Sequence, residues 1–516
     1  MKLWRKCALL CLLALLAMTA GAAAFEDGEH RMELSVFELP ELECLEDTAP
    51  DADAALLAAP DYEGAFEALQ KGIWNGDTSI DIYAYNIPFS GEEMARLGNG
   101  IKYEPGMFGV VGFDGATGRD GVFATIRPKY TIAGDDYAEA KQVYLDGLNE
   151  IVEQVDPSWS ELEQVLFVHD YLASHFQYDM RLYDPDVDIN DLIYDSYRFF
   201  AYGVGVCEAY AKTFLAVARE LGLQVSYVES MLLNHVWNLV EIDGKWYHLD
   251  VTHDDPVTDR LGYARHLYFL QSDGAAIAQR KESWEEKHPG EEWTVDWVYG
   301  NGEACTDTTY DNYCWRSAVS PFLYVDGVWY AVTEEGLKTW DGASPDFEET
   351  VDGFASPSSG LSLHCGRLYY NGYYEVRCYE PFTGRIFLVR DFARAHGAGH
   401  YGQGLAVEGD TLTYEVYWFD EDDVYHYGRG NCPLESYLKA AEDGSFGYYV
   451  SNGRLYLQAD TDQVAVAFYN DKGRMTGVSL LTGESSCALR KGQVKLMAMT
   501  ANGWLPCEKT LDGTVL

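Results

Sequence analysis

The chain has 516 residues, with 37 basic against 83 acidic side chains and a formal net charge of −46 at pH 7. So acidic a surface repels nucleic acid and anionic membrane and favours solubility. With 14% aromatic and 47% hydrophobic residues it is not a disordered polymer, and its length suits about two to four domains.

Lys2, Arg5 and Lys6 precede an apolar run from Cys7 to Ala20, followed by Ala22, Ala23 and Ala24. That is the pattern of a secretory signal peptide over residues 1–24, cleaved before Phe25. A retained anchor is the rival, because the run approaches spanning length. The mature protein is therefore expected to be secreted, extracellular and off the membrane, with its oligomeric state open. Residues 25–60 read as an acidic lead-in and 61–137 as a small α+β segment. In the latter, SIDIYAYNIP and GVFATIRPKY pattern as strands and EEMARLG as a helix. Ala138–Val155 is a further helix. Ser160 and Glu163 form a capping box that opens the helix ELEQVLFVHDYLASHF. His169 and His175 lie on it without any catalytic partner spacing and read as structural.

The loop DPDVDINDLIYD alternates Asp184, Asp186, Asp188 and Asn190 like a calcium loop. Ile189 stands where the turn wants glycine, however, and Asp195 replaces the terminal Glu. A solvated acidic loop is the better reading. No cofactor or metal is required, and calcium is the one ion with a weak candidate loop.

The chain is organised around GVGVCEAYAKTFLAVARELG, residues 203–222. Tyr210, Phe214, Val217 and Leu221 recur at helical spacing, and alanines leave little polar face, so this is a central, buried helix. Gly203 and Gly205 break the chain before Cys207 and Gly222 stops the helix. Cys207 thus sits in the first turn, where free N–H groups and the helix dipole favour a thiolate. Next, HVWNLVEI and KWYHLDVT flank Asp243-Gly244, a hairpin turn. A two-residue turn pairs Ile242 with Lys245 and, further out, Trp237 with Asp250. His235 and Asp250 become diagonal neighbours roughly 7–8 Å apart. His248 falls opposite Leu239, too far along to replace His235. A thiol at a helix start and a histidine oriented by a carboxylate suit attack on a carbonyl.

In GVCEAYA, NHVWN, GKWYHLDVTHDDP and YFLQSD the sequence resembles the transglutaminase-like superfamily, the papain-related Cys/His/Asp fold, over about Ser160 to Asp273. It is most similar to a secreted bacterial branch. The resemblance implies Cys207 as nucleophile, His235 as general base and acid, and Asp250 as orienting carboxylate. His253 stands where that branch often has Trp.

After the strand expected in RHLYFLQSD and a polar helix or turn region, the catalytic domain (138–300) should close. The texture then changes. Turn glycines Gly327, Gly366, Gly409 and Gly453 are 39, 43 and 44 residues apart, a period that suggests propeller-like blades or a stacked β array over 318–460. Residues 461–516 read as a small C-terminal β module. Aromatic residues in these repeats are read as core before sugar platforms. Eight cysteines outside the leader and Cys207 permit disulfides in an exported chain. The expected class is α+β, a transglutaminase-like (papain-like) catalytic domain followed by all-β repeats. The expected function is hydrolysis of protein or peptide amide bonds through a thioester. Acyl transfer from glutamine, or a binding protein that keeps the fold without turnover, are the alternatives.

Overall fold

The computed structural model describes residues 43–44 and 59–434, apart from short gaps at 108, 118–120, 189–192, 258, 326, 355, 382–383, 410 and 421–422. Beyond 434 it describes mainly strand segments between 439 and 512. The leader, nearly all of the acidic lead-in, Ile189, Asn190 and Gly453 lie outside the described residues. The chain divides into two compact units: Met1–Asp259 with Leu267–Asp311, and Arg260–His266 with Asn312–Leu516. Among the described residues no helix is long and apolar enough to cross a membrane.

The first unit begins with helices α1 (Tyr62–Asn75) and α2 (Gly91–Ile101), packed against the antiparallel strands β1 (Val110–Thr117) and β2 (Phe123–Tyr130). Leu69, Ile73, Leu97, Phe113 and Phe123 form their core. SIDIYAYNIP does not run as one strand. Only Ile80 and Asp81 pair with β2, and a 3-10 turn at Tyr83–Tyr85 follows, ended by Asn86 at φ 55°. Helices α3 (Asp135–Val152), α4 (Glu161–His175) and α5 (Ser196–Tyr202) lead to the central helix α6 (Cys207–Glu220). The capping box is present in both directions: Ser160 Oγ accepts from the Glu163 N–H, and Glu163 accepts from the Ser160 N–H at 2.8 Å.

Every residue from Glu208 to Ala218 is buried. At about 1.5–3 kcal/mol for each large apolar side chain, Phe214, Leu215 and Val217 anchor α6 as a rigid support for the cysteine at its start. A four-stranded antiparallel sheet receives it: β3 (Val225–Ser230), β4 (His235–Ile242), β5 (Lys245–Leu249) and the short β6 (Val298–Tyr299), in the order β6-β3-β4-β5. Asp243 (φ 51°) and Gly244 (φ 75°) make the two-residue turn, and Ile242 pairs with Lys245 and Leu239 with His248. β5 stops at Leu249, so the expected Trp237–Asp250 pairing does not form. Asp250 instead caps the four-residue helix α7 (Val251–Asp254).

No strand forms in RHLYFLQSD. Gln271 makes a single bridge to His248, and the Tyr268 N–H points at the Asp254 carboxylate, 3.0 Å from both oxygens. Leu270 then turns at φ 49° into α8 (Asp273–Lys287), which Ser272 caps. Ala276 of α8 packs with Trp237, Leu239 and Trp297.

In the second unit, β7 to β10 (Leu323–Val325, Val328–Thr333, Gly336–Trp340, Glu349–Asp352) form one antiparallel meander. Strands β11 to β14 (Leu361–His364, Arg367–Asn371, Glu375–Glu380, Arg385–Asp391) form the next, and β15 to β17 (Tyr401–Glu408, Thr411–Phe419, Tyr425–Pro433) a third. Gly327, Gly366 and Gly409, all at positive φ, lie in the turns joining the first two strands of each sheet. The glycine period therefore marks one sheet per repeat. β12 buries both faces: Leu368 and Tyr370 pack with Val332 and Leu337 of the first sheet, and Tyr369 packs with Leu405 and Tyr414 of the third. The sheets are thus stacked face to face. The segment Arg260–His266 is built into this unit: Leu361 N–H donates to the Gly262 carbonyl and Leu405 N–H to that of Leu261, each at 2.9 Å. Gly262 sits at φ 63° with the Leu405 carbonyl oxygen 2.3 Å from where a Cβ would be, so no larger residue fits.

Candidate functional site

Three elements of the first unit bring the site together. Cys207 is the first residue of α6, half-buried, and its approach is braced by a short parallel pairing of Gln177 and Tyr178 with Val204 and Gly205. His235 opens β4. Asp250 follows the end of β5. The structure brings these three sequence-singled residues together: the His235 Nε2–H donates to Asp250 Oδ2 at 2.8 Å, and His235 is also hydrogen-bonded to Cys207. With Nε2 committed to the carboxylate, Nδ1 is the nitrogen left for the thiol.

Burial works against a charge on His235. The Asp250 charge and hydrogen bond, then Cys207, outweigh it and hold the imidazole up to about 9. Burial likewise opposes charge on Asp250, but His235 and His253 hold its carboxyl well below the usual range. At neutral pH the pair is an imidazolium facing a carboxylate.

Two further residues share that carboxylate, and sequence reasoning missed both roles. His253 Nδ1 lies 2.7 Å from Asp250 Oδ2 and 3.0 Å from His235 Nε2. Desolvation, helped by the positive charges of His235 and Arg280, pushes it down to about 4, so it is neutral. Arg280, only 4% exposed on α8, donates to Asp250 Oδ2 at 2.8 Å and lies 4.1 Å over the Trp237 ring. Position 253 was noted as a departure from the branch pattern; no sequence signal pointed to Arg280, which reads as one more cation of a polar helix.

The Trp237 ring stacks on His235 at 5.5 Å and 20°. Its Nε1–H donates to His248 Nδ1 at 2.9 Å, and the His248 Nε2–H donates to Asp273 at 2.7 Å. His248 therefore fixes Trp237 rather than reacting, and burial pushes its pKa down. His248→Ala removes the partners of two polar groups, at about 1–3 kcal/mol each. Its melting temperature should fall by several degrees, while activity falls far less than on loss of Asp250; differential scanning calorimetry beside an activity assay checks both.

The other acids of DVTHDDP are structural. Asp254 faces His169 Nε2 at 3.2 Å, Asp170 holds Nδ1 at 2.8 Å, and Asp255 accepts from the buried Tyr210 hydroxyl. Against full burial, these two carboxylates hold His169 up to about 9, well above its ordinary value near 6.5. A raised folded pKa stabilises most fully below about 6.5, and the contribution is lost as pH rises through 9. Thermal stability should therefore decline between those values, and His169→Gln should flatten the decline, leaving the part due to His235.

Tyr103, Tyr178, Tyr183 and Tyr194 surround Cys207, their phenols pushed up by burial and then by neighbouring acidic groups that include the thiol. Tyr183 is 44% exposed. Of the acidic loop weighed against a calcium site and read as solvated, Asp184, Asp186 and Asp188 are described, and Asp184 accepts from the Asp186 N–H as in an ordinary turn. The donor groups of His235, Asp250 and His253, and those of His248, Asp273 and Cys305, are close enough in each set to hold a metal ion. Cys305, Cys314, Cys365 and Cys378, the nearest pairs in sequence, are free thiols.

This arrangement of a helix-start thiol, an imidazole on a sheet and an orienting carboxylate lies in a domain of defined kind. Residues 149–251 match the profile of the transglutaminase-like superfamily, and this part of the chain is a transglutaminase-like domain. A search of curated proteins finds no match. Among solved structures, the chain is similar to a TGase (15% identity, 32% of this chain and 48% of that one, TM-score 0.20). It is also similar to a candidate cysteine protease from Cytophaga hutchinsonii (16% identity, 26% and 53%, TM-score 0.18). A third is AztD from Citrobacter koseri (10% identity, 38% and 62%, TM-score 0.16). The chain spans about half the length of the first two.

Proposed function

We propose that the first unit is a cysteine-dependent enzyme that cleaves amide bonds of proteins or peptides outside the cell. The observation that carries this reading is His235 held between Asp250 at 2.8 Å and the Cys207 thiol. Cys207 sulfur attacks the amide carbonyl while His235, already an imidazolium, holds the proton of the pair at Nδ1. The tetrahedral oxyanion forms beside the first-turn N–H groups of α6, with the Cys207 N–H as one donor. His235 then protonates the departing amine, leaving a thioester. Asp250 keeps the ring oriented and its charge balanced throughout. The four tyrosines around Cys207 supply the walls of the substrate site.

Hydrolysis of the thioester is favoured over transfer to a second amine. Transfer requires water to be kept from the intermediate, whereas Cys207 is only partly buried. The leader pattern at residues 1–24 supports export, and no cofactor is assigned.

The test is an assay of the purified full chain with glutamine-containing and other peptides, with and without an added primary amine. Ammonia or peptide release without amine incorporation supports hydrolysis. Amine incorporation moves the assignment to transfer, and silence in both across varied substrates moves it to a binding protein that has kept the fold.

A further inference from the structure

The small α+β segment that precedes the catalytic helices reaches the reacting thiol. Its helix α2 buries Met94, Leu97 and Ile101 in the core it shares with β1 and β2, which fixes its C-terminal end. One further turn follows, closed by the Lys102 N–H on the Asn99 carbonyl at 3.4 Å and the Glu104 N–H on that of Ile101 at 3.1 Å. That turn presents three successive side chains to the catalytic elements. Lys102 Nζ pairs with Glu229 of β3 at 2.7 Å, and both side chains are largely buried. Glu104 accepts from Arg219 of α6 at 2.6 Å. Tyr103 stands between them in sequence and is 3% exposed.

The Tyr103 ring fills the junction of the two elements that carry the reacting pair. It forms one buried cluster with Ala211 of α6, four residues after Cys207, and with Val236 of β4, the residue after His235. Cys207 itself and Tyr227 of β3 pack against that cluster, and the Tyr103 and Tyr227 rings lie 4.4 Å apart. Residues four apart share a helix face, so the face of α6 in this cluster is the one that bears the thiol. The Tyr103 hydroxyl is buried without a hydrogen bond, so packing of the ring holds the residue in place. The Glu104–Arg219 pair adds little, because Arg219 is half in solvent.

We propose that Tyr103 is a positioning residue: its ring, delivered by the segment before the catalytic helices, sets the separation of α6 and β4 and with it the approach of the Cys207 thiol to His235. A close-packed interior passes a change in volume at one position to its neighbours. Here those neighbours are the turn beneath the nucleophile and the residue after the base. A displacement of about 1 Å between reacting groups can cost about a hundredfold in rate, so the ring acts without touching substrate. The segment is then part of the catalytic unit. This inference rests on the Cys207–His235 pair proposed above.

The test reads that pair in the full chain, through the pH dependence of Cys207 alkylation by iodoacetamide, beside the melting temperature. Tyr103→Phe keeps the ring and should keep the labelling profile of the parent. Its melting temperature should not fall, since the lost hydroxyl has no partner. Tyr103→Ala should slow labelling at pH 6 about tenfold and move the midpoint up toward the free-thiol value of about 8.5. Should the alanine variant fail to fold, Tyr103→Leu keeps apolar bulk without the ring and should move the profile the same way. A folded alanine or leucine variant that is less stable but keeps the parent's profile overturns the proposal, since the ring would then be core and nothing more. So does a Tyr103→Phe profile shifted as far as that of Tyr103→Ala, which would put the role on the hydroxyl. A parent that labels Cys207 only above pH 8 removes the pair itself and this inference with it, an outcome distinct from any failure confined to the Tyr103 variants.

Discussion

Asp250→Asn is expected to lower turnover by about four orders of magnitude, since an amide can neither fix the tautomer of His235 nor balance its charge. The structure adds a cost in stability that the sequence did not suggest. Asp250 also receives Arg280, which is 4% exposed, and removing one partner of a buried ion pair costs about 3–5 kcal/mol. Asparagine can still cap α7, so the loss falls on the ion pair. Pairing the change with Arg280→Met separates the two roles. The double variant should regain most of the lost melting temperature and none of the turnover. Recovery of turnover with stability would mean that Asp250 serves the fold and not the reaction.

The second large effect concerns the thiol. A charged imidazole beside a cysteine favours the ionised, nucleophilic sulfur, and His235 stays charged up to about pH 9. Iodoacetamide at pH 6 should therefore label Cys207 within minutes, and His235→Ala should slow that reaction at least tenfold. The other thiols act as internal controls, since burial pushes Cys314 up to about 12 and Cys378 up to about 11, and both should label slowly with or without His235. Mass-spectrometric mapping across pH reads all of them in one experiment and needs no substrate. If Cys207 reacts only above pH 8, or no differently without His235, the nucleophile assignment falls and the binding reading takes its place.

What the sequence determined by itself was local and periodic. Helical spacing placed α6, and the glycines before it put Cys207 in its first turn; Asp243-Gly244 placed the turn and the register from Ile242 to Leu239; the capping box opened α4. The spaced glycines marked the repeats of the second unit. Each of these follows from backbone preference or from the period of one element, which neighbouring residues carry in full. Only the tertiary structure decided the rest. Pairing stops at Leu249, because Asp250 turns out of the strand to cap α7, and that turn aims one carboxylate at His235, His253 and Arg280 together. Arg280 comes from a helix thirty residues away, and nothing in a polar helix tells a buried cation from a solvated one. Likewise, alternation along β16 showed which residues share a face. Whether Tyr417 and Phe419 faced core or solvent depended on which side the neighbouring sheet packed, a choice set by long-range contacts.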